Sequence, residues 1–289
     1  MTDMTAILRE LDAAWHAGDC AGAVALAASY WRSLAPRDAD RVARYLLEQG
    51  APPTTRSHGE GAVRLSVEIR LGLLPAGHPA RLGLVGPLVE SLAAWDDLPG
   101  AAEAARTALD QDGERASAAA RAGLLTQLGR LYAARSDTTA AREWLVRALA
   151  EPLDDRHHGY TLATLQQLEA DVGRPREAAR LARRRLRASD SLRRAPTPAD
   201  GQLLADLACL LRDAGEPAEA LPLVARARGI VGAPTRHTRY LALDLLFLDA
   251  ELCQQLGQPI DDRLALAQAW LQPEDRTHAA RLAHLLESM

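Results

Sequence analysis

Residues capable of chemistry are few in this chain, and their spacing is poor for it. Asp154-Asp155 stands just before His157-His158. Imidazole and carboxylate are metal ligands, but adjacent side chains diverge, and no distant ligand is implied. His278 and His284 are six apart, so they face different sides of a helix and form no HExxH-like pair. Three cysteines, Cys20, Cys209 and Cys253, have neither metal-ligand spacing nor a disulfide pattern, and read as buried thiols in a reducing cytosol. All 34 basic residues are Arg, as in the coding of a GC-rich genome. Without Lys there is no amine nucleophile, no Schiff base and no P-loop. Gly59-Glu60-Gly61 opens no strand–turn–helix unit that would cradle a phosphate. No Ser/His/Asp or Cys/His arrangement has local support. The expectation is a protein without catalytic residues, metal or cofactor.

One charge cluster stands out. Residues 174–194 hold nine Arg against Glu177 and Asp190. Arg180, Arg183, Arg184 and Arg187 mark this basic helix. Its ordinary reading is a solvated face. An acidic protein partner comes next, and nucleic acid last, because no aromatic residue is present for base stacking. The whole chain carries a net charge of −4, with no excess to attract a polyanion. The amino terminus carries acidic residues and no apolar h-region, and no apolar run reaches the length of a membrane span. A cytoplasmic protein is expected.

The elements that must position these residues are helices. Hydrophobic residues make up 48% of the 289 and charged residues 25%, the balance of a folded chain. The apolar mass is Leu and Ala with a single Phe, and strand-favouring residues are sparse, which predicts an all-α protein. In 124–150, Leu125, Leu128, Leu131 and Tyr132 share one helical stripe, and Ala141, Leu145, Ala148 and Leu149 share a second. Arg135-Ser136-Asp137-Thr138 between them stops one helix and caps the next. Such pairs recur over 4–33, 38–74, 79–111, 114–150, 156–189, 198–230 and 235–271, with a capping helix over 274–288, and are read as one domain spanning 1–289. Gly173/Pro175, Gly215/Pro217 and Gly257/Pro259 close one helix and open the next. The second pair is irregular. Gly50 and Pro52-Pro53 lead into a loop reaching Gly61 before the return helix at Val63. Gly86-Pro87 predicts a kink or a late helix start. Turn residues Asp96, Ser136, Gly173, Gly215 and Gly257 lie 40, 37, 42 and 42 positions apart, the regular period of a solenoid of stacked helix pairs.

Residues 125–148 resemble the tetratricopeptide repeat through Leu125, Leu128-Gly129, Tyr132, Ala141, Leu145 and Ala148. Gly129 and Ala141 stand where that repeat brings its two helices closest. The likeness is partial at 204–227, through Leu204, Leu207-Ala208, Leu211, Ala220, Val224 and Ala227, and at 85–108, through Val85, Leu88-Val89, Leu92, Ala101, Ala105 and Ala108. With longer spacings than the standard repeat, it looks like the divergent repeats of bacterial regulators and adaptors. The resemblance implies a right-handed superhelical solenoid whose first helices line a concave groove. It also implies binding of a partner protein or peptide segment there, as an interaction scaffold. An effector- or peptide-responsive regulator acting through another chain is the alternative reading, and homo-oligomers are compatible with either. On that implied geometry the groove row holds Glu90, Arg130, Gln167, Cys209 and Glu251, with Arg212, Gln254 and Phe247 beside it. Small Gly86, Ala133, Ala163 and Ala205 would give backbone access. Phe247 has two readings, a groove anchor or packing against the next hairpin, and packing is the stronger.

Overall fold

The computed structural model describes residues 4–75, 78–155, 157–190, 195–272 and 275–287. Expectations that touch the remaining positions, such as Arg193 and Arg194 of the basic stretch and the outer ends of the cap, lie outside them. Fifteen α-helices and three single 3₁₀ turns form the described chain, with no strand among the described residues. The fold is all-α. It falls into two compact units, residues 1–153 and 154–289, where the periodicity alone suggests one uninterrupted domain.

The first unit holds four antiparallel pairs: α1 (Met4–His16) with α2 (Cys20–Tyr30), α3 (Pro36–Gly50) with α4 (Arg56–Gly72), α5 (Gly86–Ala94) with α6 (Leu98–Asp112), and α7 (Ala118–Ala134) with α8 (Thr138–Leu149). The second unit holds α9 (Gly159–Asp171) with α10 (Pro175–Asp190), α11 (Pro198–Asp213) with α12 (Pro217–Val231), α13 (Arg239–Gln255) with α14 (Asp261–Trp270), and the terminal α15 (Arg276–Glu287).

One turn chemistry makes six of these seven hairpins. Gly18, Asp96, Ser136, Gly173, Gly215 and Gly257 each take a left-handed conformation just after a first helix. The next residue then donates its N–H back to the carbonyl five positions earlier, as in Asp97 to Leu92, Arg174 to Glu169, Glu216 to Leu211 and Gln258 to Cys253, each at 2.8 Å. This is the Schellman closure, which uses carbonyls that the helix end leaves unpaired. In three of the turns an Asp then caps the return helix: Asp19 accepts from Gly22, Asp97 from Gly100 and Asp137 from Ala140. Where the cap is not Asp, Pro175 and Pro217 start the return helix with a preset φ. Pro259 does not. There α14 starts two residues later at Asp261, after Ile260, with Asp261 and Asp262 in its first turn facing the positive end of the helix dipole.

The second hairpin departs from the sequence expectation. The return helix α4 begins at Arg56, seven residues before Val63, and runs straight through Gly59 and Gly61. Its glycine is there for close approach. A Cβ on Gly59 would lie 2.0 Å from the carbonyl oxygen of Gly50, and one on Gly50 would lie 2.8 Å from Cβ of Ala62. Gly129 works the same way in the fourth hairpin, where a Cβ would sit 2.5 Å from Cγ of Leu145 and 3.1 Å from the Ala141 carbonyl oxygen. At Gly86-Pro87 the late start is what occurs: Leu82–Val85 is a 3₁₀ turn, and α5 begins at Gly86.

The repeat residues form the core. Leu128, Ala141, Leu145 and Ala148 are fully buried, as are Leu204, Ala208, Ala220, Val224 and Ala227. Each such leucine stabilises the fold by about 2 kcal/mol through removal of apolar surface from water. Arginines fasten one hairpin to the next. Arg81 donates to Asp112 at 3.0 Å and to the carbonyls of Leu71 and Leu74, closing the end of α4. Arg121 repeats the device with Glu151 at 2.5 Å and the carbonyls of Gly113 and Ala116. No helix among the described residues is long and apolar enough to cross a membrane.

Candidate functional site

The residues expected on the first helices fall into three groups. In the first unit, Glu90 on α5 and Arg130 on α7 are exposed and face one another at 3.9 Å. Beside them Arg135, at the end of α7, pairs with Asp96 in the preceding turn. Gly86 does not offer an open backbone, because its carbonyl accepts from Gln127 at 3.2 Å.

In the second unit the first helices carry a denser array. Arg212 of α11 donates to Glu251 of α13 at 2.6 Å, and Arg281 of α15 reaches the other oxygen of Glu251 at 2.8 Å. Arg281 also meets Asp244, which accepts a 3.2 Å contact from His278. Arg212, Glu251 and Arg281 thus form a ladder across three consecutive first-position helices. Cys209 lies one turn from Arg212, and burial pushes its thiol pKa up, which disfavours the thiolate. Gln167 is exposed and bonds Asp171 on its own helix at 2.8 Å, and Gln254 is exposed. Ala205 is buried, while Ala133 and Ala163 are half-buried.

Phe247 does not belong to this row. It is fully buried. His278 of α15 stacks on it with ring centroids 5.9 Å apart, and the Arg281 guanidinium lies 5.2 Å above its ring. The terminal helix α15 packs where a further first helix would follow α13, and covers the position that would otherwise face outward. The Phe247 side chain is packed between α13 and α15, which agrees with the packing reading.

The basic helix α10 has its counter-charges nearby. Arg183 bonds Glu219 of α12 at 2.7 Å, Arg184 bonds Asp155 at 2.5 Å, and Arg180 bonds Glu177 at 2.5 Å on its own helix. Arg176 lies 3.5 Å from Glu216, and Asp190 accepts from Arg226 of α12 at 2.6 Å. Arg187 is exposed. The acidic surface that this helix meets is, in large part, the neighbouring hairpin. Exposed pairs of this kind contribute about 0–1 kcal/mol each, so they align the outer helices more than they stabilise them.

The His/Asp cluster before α9 is divided by burial. His157 is exposed and its Nδ1 lies 2.7 Å from Asp154, whereas His158 is buried and Asp155 is held by Arg184. No group of three potential metal ligands occurs among the described residues. His278 and His284 do face apart, the first against α13 and the second exposed.

Several residues of consequence are not recognisable in the sequence. Asp249 is buried on α13 and receives Arg228 of α12 and Arg263 of α14, the latter at 2.9 Å. Asp244, His278, Arg281 and Tyr240 complete the second-unit face. Asp244 and Glu251 are seven apart on α13, and His278 and Arg281 are three apart on α15. That spacing puts each pair on one helical stripe, but which stripe meets which depends on the packing of α15.

No family model and no curated protein matches the sequence. Solved structures do. BtubC (BKLC) of P. vanneervenii aligns over 89% of this chain and 94% of its own, with 16% identity and a TM-score of 0.55. PilF of Pseudomonas aeruginosa aligns over 85% of this chain and 99% of its own, with 17% identity and a TM-score of 0.53. A tetratricopeptide repeat protein from Parabacteroides merdae is also similar, at 15% identity over 98% of both chains with a TM-score of 0.40. The chain has a tetratricopeptide-like helical-repeat fold.

Proposed function

We propose that this protein is a non-enzymatic interaction scaffold that holds a segment of a partner protein against the first helices of its hairpins. The observation that carries the reading is the Arg212–Glu251–Arg281 ladder. These side chains come from α11, α13 and α15, lie within 2.8 Å of one another in sequence of contact, and remain partly exposed. Charged groups already held in place by neighbouring helices lose little conformational freedom when a polar segment docks on them. Exposed Tyr240 at the edge of the same face adds a rigid aromatic surface of the kind enriched at binding hot spots. In the first unit, Glu90 and Arg130 offer a smaller surface of the same composition. A bacterial setting, in which such a scaffold serves as an adaptor or regulator of another chain, agrees with the arginine-only basic composition.

The test is selection of peptides from a displayed random library against the full chain, followed by affinity measurement on Arg212→Glu and on Arg130→Glu. Selected peptides are expected to lose at least about tenfold in affinity for one of the two variants, the loss that accompanies a reversed charge at a docking face. Unchanged affinity for both variants would overturn the proposal.

A further inference from the structure

A cleft of about 550 Å³ opens between α12, α13 and α14, away from the Arg212–Glu251–Arg281 ladder in its lining residues. Its apolar wall is made by Val231, Ala242, Leu245, Leu266 and Trp270. A second cleft of about 630 Å³ adjoins it, sharing Trp270, and is lined by Thr235, Arg236, Arg239, Tyr240 and Gln272. The void follows from the sequence. The second helix α14 has only 10 residues, against 15 in α12 and 17 in the intervening α13. Small Ala225, Gly232, Ala233 and Ala242 stand opposite the Trp270 indole, where larger side chains would fill the space.

The charge is one-sided. The two linings contain Arg228, Arg236 and Arg239 and no carboxylate. Arg228 is tied to Asp249, and Arg239 to Asp275 at 2.8 Å. Arg236 is exposed and has no ion-pair partner among the described residues. An apolar cleft and a polar cleft therefore meet at Trp270, and the polar one carries Arg236, a guanidinium without an ion-pair partner among the described residues and suited to bidentate recognition of a carboxylate. Volumes of this size are those of small-molecule pockets.

We infer that the joined clefts bind a small amphipathic anion, with its apolar body on Trp270, Leu245 and Leu266 and its carboxylate at Arg236 and Thr235. The ligand class is a medium-chain carboxylate with a single charged head.

Sodium decanoate, kept below its micellar concentration, tests this on the full chain, with decan-1-ol as the uncharged control. Trp270 is the one tryptophan after Trp144, so the emission change lost in Trp270→Phe reports on the cleft. Decanoate is expected to raise the melting temperature and shift that emission, with decanol at least about tenfold weaker, because the head group supplies a charge-assisted hydrogen bond. Arg236→Glu, at an exposed position that leaves the fold intact, is expected to weaken decanoate by about tenfold or more and to leave decanol unchanged. Ala225→Phe, also exposed, is expected to block both ligands. Absence of any response to decanoate would overturn the inference. So would equal binding by Arg236→Glu, which would mark mere apolar adsorption, or equal binding by Ala225→Phe, which would place the ligand elsewhere.

Discussion

Gly129 and Gly123 lie in the same helix, α7, and the same substitution at each is expected to act in opposite directions. Both positions are helical, so Gly→Ala brings about 1 kcal/mol of helix propensity at either one. At Gly123 a new Cβ meets no atom within 4 Å. Gly123→Ala should therefore stabilise by nearly the whole of that amount. At Gly129 the new Cβ would lie 2.5 Å from Cγ and 2.8 Å from Cδ2 of Leu145, and 3.1 Å from the Ala141 carbonyl oxygen. Leu145 is fully buried and cannot swing aside, and the Ala141 oxygen belongs to the backbone of α8. Relief must come from separating α7 and α8. Overpacking of this type costs about 2–3 kcal/mol. After the propensity gain, Gly129→Ala is left destabilised by about 1–2 kcal/mol, and the two variants are separated by about 2–3 kcal/mol. Urea unfolding followed by circular dichroism measures both, with the midpoint compared at constant slope. If Gly129→Ala raised the midpoint as Gly123→Ala does, the close α7–α8 contact would be refuted, and with it the assignment of Gly129 as the point of nearest approach.

Three further outcomes follow from the turns and from the charged groups. Ser136 is a non-glycine residue at φ 61°. Ser136→Gly should stabilise by about 0.5–1 kcal/mol, whereas Gly215→Ala, with open space at its Cβ, should cost about 1 kcal/mol through backbone strain alone. Thermal melts of the two variants would settle the sign. Asp155 is held below the usual carboxylate range, chiefly by the hydrogen bond from Arg184. Its folded value lies below its unfolded one, so its contribution is present above about pH 4 and is lost as pH falls through the folded value. Arg184→Gln should thus lower stability by a fraction of about 1 kcal/mol near neutrality and converge with the parent in acid, since the pair is partly exposed. A constant difference down to acid pH would contradict this. The Tyr45 phenol is pushed up from 10.0 to about 12, first by burial and then by the charge of Asp12. In an absorbance titration Asp12→Asn should bring it only partway back, and a full return would show that burial is not the larger cause.

The fold was legible because its punctuation is local. In six of the seven hairpins a left-handed residue follows the first helix, and in five of these an Asp or Pro opens the next, choices decided by sterics within a few residues. Gly18, Ser136, Gly173 and Gly215 therefore announce their turns wherever they stand. Gly59 and Gly61 misled for the same reason. Glycine reads as a breaker locally, yet Gly59 sits inside α4 because the Gly50 carbonyl of another helix comes too near for any side chain. That demand comes from tertiary packing and leaves no trace in the neighbouring sequence. Pro259 is a milder case: its loop geometry delays α14 to Asp261, where the acidic pair meets the helix dipole.

The candidate site was legible only where one helix decides it. Arg212 and Glu251 are on a common face because each follows from the stripe of its own helix, and the packing of α11 beside α13 then brings them to 2.6 Å. Phe247 obeys the same stripe and is nevertheless buried, because α15 covers it. The Arg-rich α10 shows the complementary effect: an unbalanced charge along the sequence is partly offset in space by Glu216 and Glu219 of α12 beside it. Arg236 has the opposite history. It is one arginine among 34 and unremarkable by position. Yet the other arginines of its cleft are paired with Asp249 and Asp275, and among the described residues Arg236 is not, which is the basis of the ligand proposal. In a chain so rich in arginine, an arginine without an ion-pair partner among the described residues is found by subtraction, and the subtraction requires the packed helices.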